Sequence, residues 1–203
     1  MKIAAVVVAC WVASVGHAAI VYTDIPDITI GWTGVAAIDF DRDGSPEVHV
    51  LSFDTGLGPW AWCDALEPGS RTLIDPLLTW PGSTPTYWAE RPDAGALIGP
   101  SAEYQQRASL LRVQDFGGAF GKWLEFGAAH LGVEFKIGSA AHYGWIRVDL
   151  SETTISDLLV VRGFAYESEP GVPIAAGAVP GPGGAGVVMA VSVLGGARRR
   201  RWR

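Results

Sequence analysis

Turn residues break the body of this chain into short segments. With 26 glycines and 13 prolines in 203 residues, turn signals recur roughly every 8–15 positions, and the segments between them favour β-branched and aromatic residues. Segments of that kind fold as strands. The expected strands cover residues 29–32, 35–39, 48–53, 110–114, 131–137, 143–150, 158–161 and 164–167. The run 145–150 alternates cleanly, with Trp145, Arg147 and Asp149 on one face and Ile146, Val148 and Leu150 on the other. Many short, separated strands predict an all-β fold, a β-sandwich. Residues 102–111 read as a short helix, and residues 56–100, rich in Pro, Gly and Trp, read as long loops. No internal repeat is present.

Two end segments stand apart from this body, which spans residues 19–177. At the N-terminus, Lys2 precedes an apolar stretch, and Gly16-His17-Ala18 has the small-x-small pattern of a cleavage site. Residues 1–18 therefore read as a secretory signal peptide, cut after Ala18 or, as second choice, after Ala19. Val7-Val8-Ala9-Cys10 only loosely imitates a lipoprotein box, because the apolar run before Cys10 is short. Residues 178–203 form a tail. It has a hinge containing Pro180 and Pro182, an apolar run over residues 183–197, and a basic end made of Arg198, Arg199, Arg200, Arg201 and Arg203. As a helix, the apolar run would span about 22 Å, short of a ~30 Å hydrocarbon core. Five glycines weaken it further. That suits transient membrane contact, with the arginines on the cytoplasmic side. The bland alternative is a poorly ordered, sticky terminus.

Charge separates body from ends. All 21 acidic residues lie in the body. Of the 15 basic residues, Lys2 and five tail arginines lie outside it, which leaves nine and a body charge of −12. Nucleic acid and anionic membrane need a basic face, so neither is an expected partner; bound cations are favoured instead. Once the leader is removed, Cys63 is the sole cysteine, so stability rests on the core or on metal rather than on an internal disulfide. Cys63 either pairs with another chain or sits buried as a small hydrophobe beside Trp60 and Trp62.

Signal peptide, acidic body, proline-containing hinge, short apolar helix and arginine cluster together resemble the PEP-CTERM class of exported bacterial proteins. That resemblance implies recognition and cutting of the tail by an exosortase-like sorting protease. The Pro-Glu-Pro of the class stands here as Pro180-Gly181-Pro182. A second likeness covers roughly the last third of the body. Leu131-Gly132-Val133-Glu134-Phe135, His142 to Val148, Gly163 to Glu167, and Ile174 to Gly177 follow one another in the order seen in the closing block of many PEP-CTERM proteins. It implies a secreted β-rich domain and carries no established activity. Tyr143, Trp145 and Tyr166 in this block read as core.

One motif carries chemistry: Asp39-Phe40-Asp41-Arg42-Asp43-Gly44-Ser45-Pro46-Glu47. Carboxylates at alternate positions converge on one hard cation, and Gly44 permits a sharp turn. A backbone oxygen near Ser45, together with Glu47, extends the set toward the 6–8 oxygens that Ca2+ takes. The twelfth loop position is Val50 rather than a bidentate Glu, so this is no EF-hand. The motif resembles the shorter calcium loops of FG-GAP-type exported β proteins, set between two strands. The competing reading is a polar hairpin turn facing water. Three acids in five positions repel unless neutralised, which favours calcium in a structural role.

Other chemistries find little footing. His49, His130 and His142 lack zinc-ligand spacing. No nucleophile-elbow, phosphate-loop or dinucleotide motif occurs, and Glu125 and Glu134 are merely available as a glycosidase pair. Trp60, Trp62, Trp80 and Trp88, with Tyr87, fall in the expected loops. They could stack on an extracellular polysaccharide or cap the core. The expectation is a noncatalytic exported protein of the cell envelope or extracellular matrix. A carbohydrate-binding module is the alternative, and a secreted polysaccharide hydrolase a third.

Overall fold

The computed structural model describes residues 19–54, 56, 58–80, 86–114, 118–125, 127–150 and 159–181. Residues 1–18 and 182–203 lie outside it. The expected signal peptide, Pro182, the apolar run and the arginines Arg198 to Arg201 therefore lie outside the described residues. No helix among the described residues is long and apolar enough to cross a membrane.

The chain is all-β. Strand β1 (Ile20–Ile30) leads through a short link into the hairpin of β2 (Gly34–Ile38) and β3 (Val48–Asp54), and β4 (Pro59–Ala65) follows. Next come β5 (Arg71–Trp80), β6 (Thr86–Ala89), β7 (Leu97–Ile98), β8 (Tyr104–Gln105), β9 (Arg107–Gln114) and β10 (Gly118–Phe120). Strands β11 (Gly127–Ile137), β12 (Ala140–Leu150), β13 (Leu159–Glu167) and β14 (Ile174–Ala175) complete the described chain. One large sheet runs in the order β1-β13-β12-β11-β5-β6-β9-β4-β3-β2, while β7 and β14 form a separate pair.

Strand β5 joins the sheet's two limbs. Its start pairs with β11 (Thr72 opposite Val133), and its remainder pairs with β6 (Ile74 opposite Ala89). Residues of both limbs bury one core. Ile38, Val48, Val50, Ala61 and Cys63 from one limb cluster with Val133, Phe135, Ile146, Val148 and Val161 from the other. A second apolar cluster covers the other face of the β11–β13 limb. There Trp145 and Tyr143 pack with Ile98, Tyr104, Ile174 and Ala176, and the Trp145 indole N–H donates to Ala178 O at 3.2 Å. Tyr143 and Trp145 are thus core residues, 4% and 2% exposed.

Three sequence expectations need correction. Residues 102–111 are not helical; they hold β8 and the first half of β9. Ala108 and Leu110 are fully buried there, and Ala108 lies opposite Cys63, so cross-strand pairing overrides a weak local preference. Residues 56–100 are not long loops but contain β4 to β7. The prolines that suggested loops sit where a ladder tolerates them: Pro59 opens β4, and Pro76 falls in the register break of β5 between Asp75 and Thr79. Strand β1 begins at Ile20, well before the expected start at residue 29. Pro26 interrupts its pattern but occupies an edge-strand irregularity between Asp24 and Ile28.

Candidate metal site and the aromatic face

The acidic loop is the connection between β2 and β3, and its alternation builds the site. Phe40 points inward and is 1% exposed. Its ring stacks on Phe135 at 4.3 Å and meets Phe164 edge-on at 4.9 Å. Gly144 makes room for that insertion, since a Cβ there would lie 3.1 Å from the Phe40 ring and 2.7 Å from Ala165 O. With Phe40 held in the core, Asp39 and Asp41 on either side of it turn outward.

The loop closes on its own backbone. Glu47 N–H donates to Ile38 O at 3.0 Å, completing the hairpin end. Gly44 N–H donates to Asp39 Oδ2 at 2.9 Å, Asp43 N–H to Asp41 Oδ1 at 3.1 Å, and Ser45 N–H to Asp43 Oδ1 at 2.7 Å. Two residues adopt left-handed backbone, Gly44 at φ 99° and Arg42 at φ 61°. The first is free for glycine; the second costs Arg42 roughly 1 kcal/mol or more. Arg42 forms no ion pair with its acidic neighbours. Its guanidinium Nη2 donates to Thr23 Oγ1 at 3.0 Å and ties the loop to β1.

Asp39, Asp41 and Asp43 come together, one oxygen from each lying within 4.8 Å of the others. Two oxygens bound to one calcium at 2.3–2.6 Å sit at most about 5 Å apart, so the spacing fits a shared ion. Asp39 Oδ1 is buried and has no hydrogen-bond partner, which is the state a ligand atom takes when its partner is not a protein group. No other group of three or more metal-ligating side chains occurs among the described residues.

Ser45 and Glu47 are placed differently from the three aspartates. Ser45 is exposed at the loop tip. Glu47 is 1% exposed and lies beneath the loop, where its Oε2 accepts the Phe40 N–H at 2.7 Å. Burial pushes the Glu47 carboxyl up to about 7; the backbone N–H groups of Phe40 and Glu47 pull it back, while Asp41 and Asp39 push it further. Glu47 thus acts as an internal brace on the loop's first turn. The sequence pointed to this residue but not to this role.

The four candidate tryptophans, Trp60, Trp62, Trp80 and Trp88, lie on strands. Trp60 and Trp62 are neighbours on the outer face of β4, half-buried, with ring centroids 5.6 Å apart and nearly perpendicular. Their indole N–H groups are used locally, Trp60 to Ser109 Oγ at 3.0 Å and Trp62 to Asp64 Oδ2 at 3.2 Å. Phe53, 37% exposed, meets Trp62 edge-on at 4.4 Å. The Arg107 guanidinium lies 5.7 Å from the Trp62 ring centre and is ion-paired with Asp64. Beside them an open cleft of about 440 Å³ is lined by Asp64, Ala65, Leu66, Gln106 and Arg107. Trp88 is 5% exposed and belongs to the interior. Trp80 ends β5, and its side chain lies outside the described set.

Three remaining candidates are accounted for by burial or by ion pairing. Cys63 is fully buried, and burial pushes its thiol up to about 12, so it is an inert core residue. Glu134 is held by Arg71 at 2.6 Å and Glu125 by Arg91 at 2.8 Å, each in its own ion pair. In comparisons with known proteins, the chain matches no family model, no curated protein and no solved structure.

Proposed function

We propose that this protein is a noncatalytic exported module, a β-sandwich folded about β5 and stabilised by one structural calcium ion in the loop of residues 39–47. The observation that carries the reading is the convergence of Asp39, Asp41 and Asp43 around an orphaned, buried Asp39 oxygen. A divalent cation there would offset three negative charges that form no ion pair among the described residues. The β2–β3 hairpin would then be pinned from outside by the ion and from inside by Phe40 and Glu47. The shared core of the two limbs supports the sandwich. Export rests on the leader pattern of residues 1–18 and on the likeness of the tail to the PEP-CTERM class, including Pro180, Pro182 and the arginines. That likeness makes an exosortase-like protease the expected partner and the cell envelope or matrix the expected location.

The test is a thermal melt with calcium and with chelator. Extracellular sites bind at roughly 0.1–1 mM, so about 10 mM calcium adds about 1.4–2.7 kcal/mol. That corresponds to a shift of about 3–10 °C, absent in Asp41→Ala. A wild-type protein that melts at one temperature in both solutions reduces the loop to a polar turn.

A second reading, carbohydrate binding, draws on the outer face of β3 and β4. Phe53, Trp60 and Trp62 are only partly covered there, and a cleft runs beside Arg107. Rings so placed stack on the apolar faces of sugars. Quenching of tryptophan emission by soluble polysaccharide, lost in Trp62→Ala, would favour it. Hydrolysis has the least support, because Glu125 and Glu134 are each engaged by an arginine.

A further inference from the structure

We propose that the fold contains a receptor for its own processed N-terminus. Cutting the Ala18–Ala19 bond would leave an α-ammonium on Ala19 that pairs with the buried carboxylate of Glu167. This rests on the export reading, and specifically on processing after Ala18; it does not depend on calcium.

Among the described residues four acids are buried, Glu47, Asp75, Glu134 and Glu167, and Glu167 and Glu47 are the two without a lysine or arginine partner there. Glu134 has Arg71 and Asp75 has Lys122. Glu47 lies under the loop against the Phe40 N–H. Glu167 is 5% exposed and pairs with no lysine or arginine among the described residues. A carboxylate buried without a cation is costly, and the group that faces this one is a main-chain nitrogen.

That nitrogen is Ala19 N, 2.8 Å from Glu167 Oε1 and 3.2 Å from Ser168 Oγ. One nitrogen with two oxygen acceptors is better served by the three protons of an ammonium than by the single proton of a peptide N–H. The surrounding ladder fixes the position. Ser168 N–H donates to Ala19 O at 3.0 Å, and Ile20 lies opposite Glu167 in the β1–β13 register. Glu169 N–H donates to Glu167 Oε1 at 3.0 Å, and the His142 ring holds the Glu167 carbonyl through Nδ1 at 2.9 Å. The carboxylate is therefore set in place before any amine arrives.

The chemistry is an ordinary hydrolysis by a signal peptidase. Water oxygen adds to the Ala18 carbonyl carbon, and the C–N bond breaks. Ala18 departs as a carboxylate, and the Ala19 nitrogen takes up protons. A free α-amino group has a pKa near 7.7–8.0, so it is largely charged at neutral pH. Pairing with Glu167 raises that value, and charge-assisted bonds are roughly twice as strong as neutral ones. The fold thereby distinguishes the two candidate cleavage points, since a cut after Ala19 removes the pairing nitrogen altogether.

The sign of the pH dependence follows. An amine whose pKa is raised on folding contributes its full stabilisation below about pH 8 and loses it as pH rises through the folded value. Other titratable groups in this corner are His142, Tyr166 and Glu169, with the His142 and Tyr166 rings 6.1 Å apart. Comparing two chains that share all three cancels their contributions.

The experiment exports the full chain from a bacterial host and reads the mature N-terminus by intact mass. It then compares that protein with one carrying Gly-Ser inserted between residues 18 and 19, which moves the amine by up to about 7 Å. Both are made with Glu167 and with Glu167→Gln. The expected mature chain begins at Ala19. At pH 7 the extended chain melts about 4–10 °C lower, the gap closes as pH is raised above about 8, and the insertion costs nothing further in Glu167→Gln. A mature chain beginning elsewhere, Ile20 included, overturns the inference, as do equal melting temperatures at pH 7. Should Glu167→Gln fail to fold, the pH dependence of the insertion decides alone. Retention of residues 1–18 sinks the export reading instead, so the two failures are told apart.

Discussion

The carboxylates beside β5 and those of the loop over residues 39–47 face the same problem and meet it differently. At β5, Asp75 receives Lys122 at 2.5 Å, and the same ammonium reaches Glu90 at 2.7 Å. Glu134 on β11 is met by Arg71 at the start of β5. These charges are balanced by the chain itself. In the loop, among the described residues, the three aspartates accept only main-chain N–H groups, and the nearby Arg42 donates to Thr23. Stability at β5 is therefore intrinsic to the fold, whereas on the calcium proposal stability at the loop would depend on what the solution supplies. On the proposal above, the Ala19–Glu167 contact lies between these cases, because there the chain would supply the cation only after being cut.

The comparison can be broken first at the residue that ties the loop to the core. Phe40→Ala empties a ring-sized space against Phe135 and Phe164 and should cost about 3–5 kcal/mol in chemical denaturation. It should also shrink the calcium response, because the aspartates lose their inner anchor. A full calcium shift in this variant would mean that the loop holds its shape without the core.

Next in size is the balanced site. Lys122→Ala leaves Asp75 buried without its cation and should cost about 2–3 kcal/mol, by the same amount in calcium and in chelator. A calcium-dependent loss would show that the two acidic regions are coupled.

The smallest effect sharpens the contrast most. Asp43→Asn keeps an oxygen for the Ser45 N–H but removes one of three like charges. In chelator it should raise stability by about 0.5 kcal/mol, read as roughly 1–2 °C in the melt, and in calcium it should lose most of the gain. Destabilisation in chelator would mean that repulsion within the loop is already screened.

Much of the site was legible in the residues alone. The Asp-Phe-Asp-x-Asp-Gly pattern sets carboxylates and ring on opposite sides of an extended chain, and the structure places them so. Glu47 was legible as part of the motif, but its burial was not. Whether a carboxylate points out or under depends on the Phe40 N–H left free at the hairpin mouth, which is a tertiary circumstance. The strands between residues 56 and 100 were hidden for a related reason. Pro59 and Pro76 break local patterns, and only the sheet decides whether the ladder needs the N–H they lack.

The sequence by itself determined the β character of the body, its acidity and the acidic turn over residues 39–47, because each is written in short-range pattern or in composition. The tertiary structure decided which faces are covered, which acids meet cations, and that Ala19 lies against Glu167, 148 residues away. Such pairings depend on how β13 is laid beside β1, and contacts between distant strands leave no periodic trace in the chain.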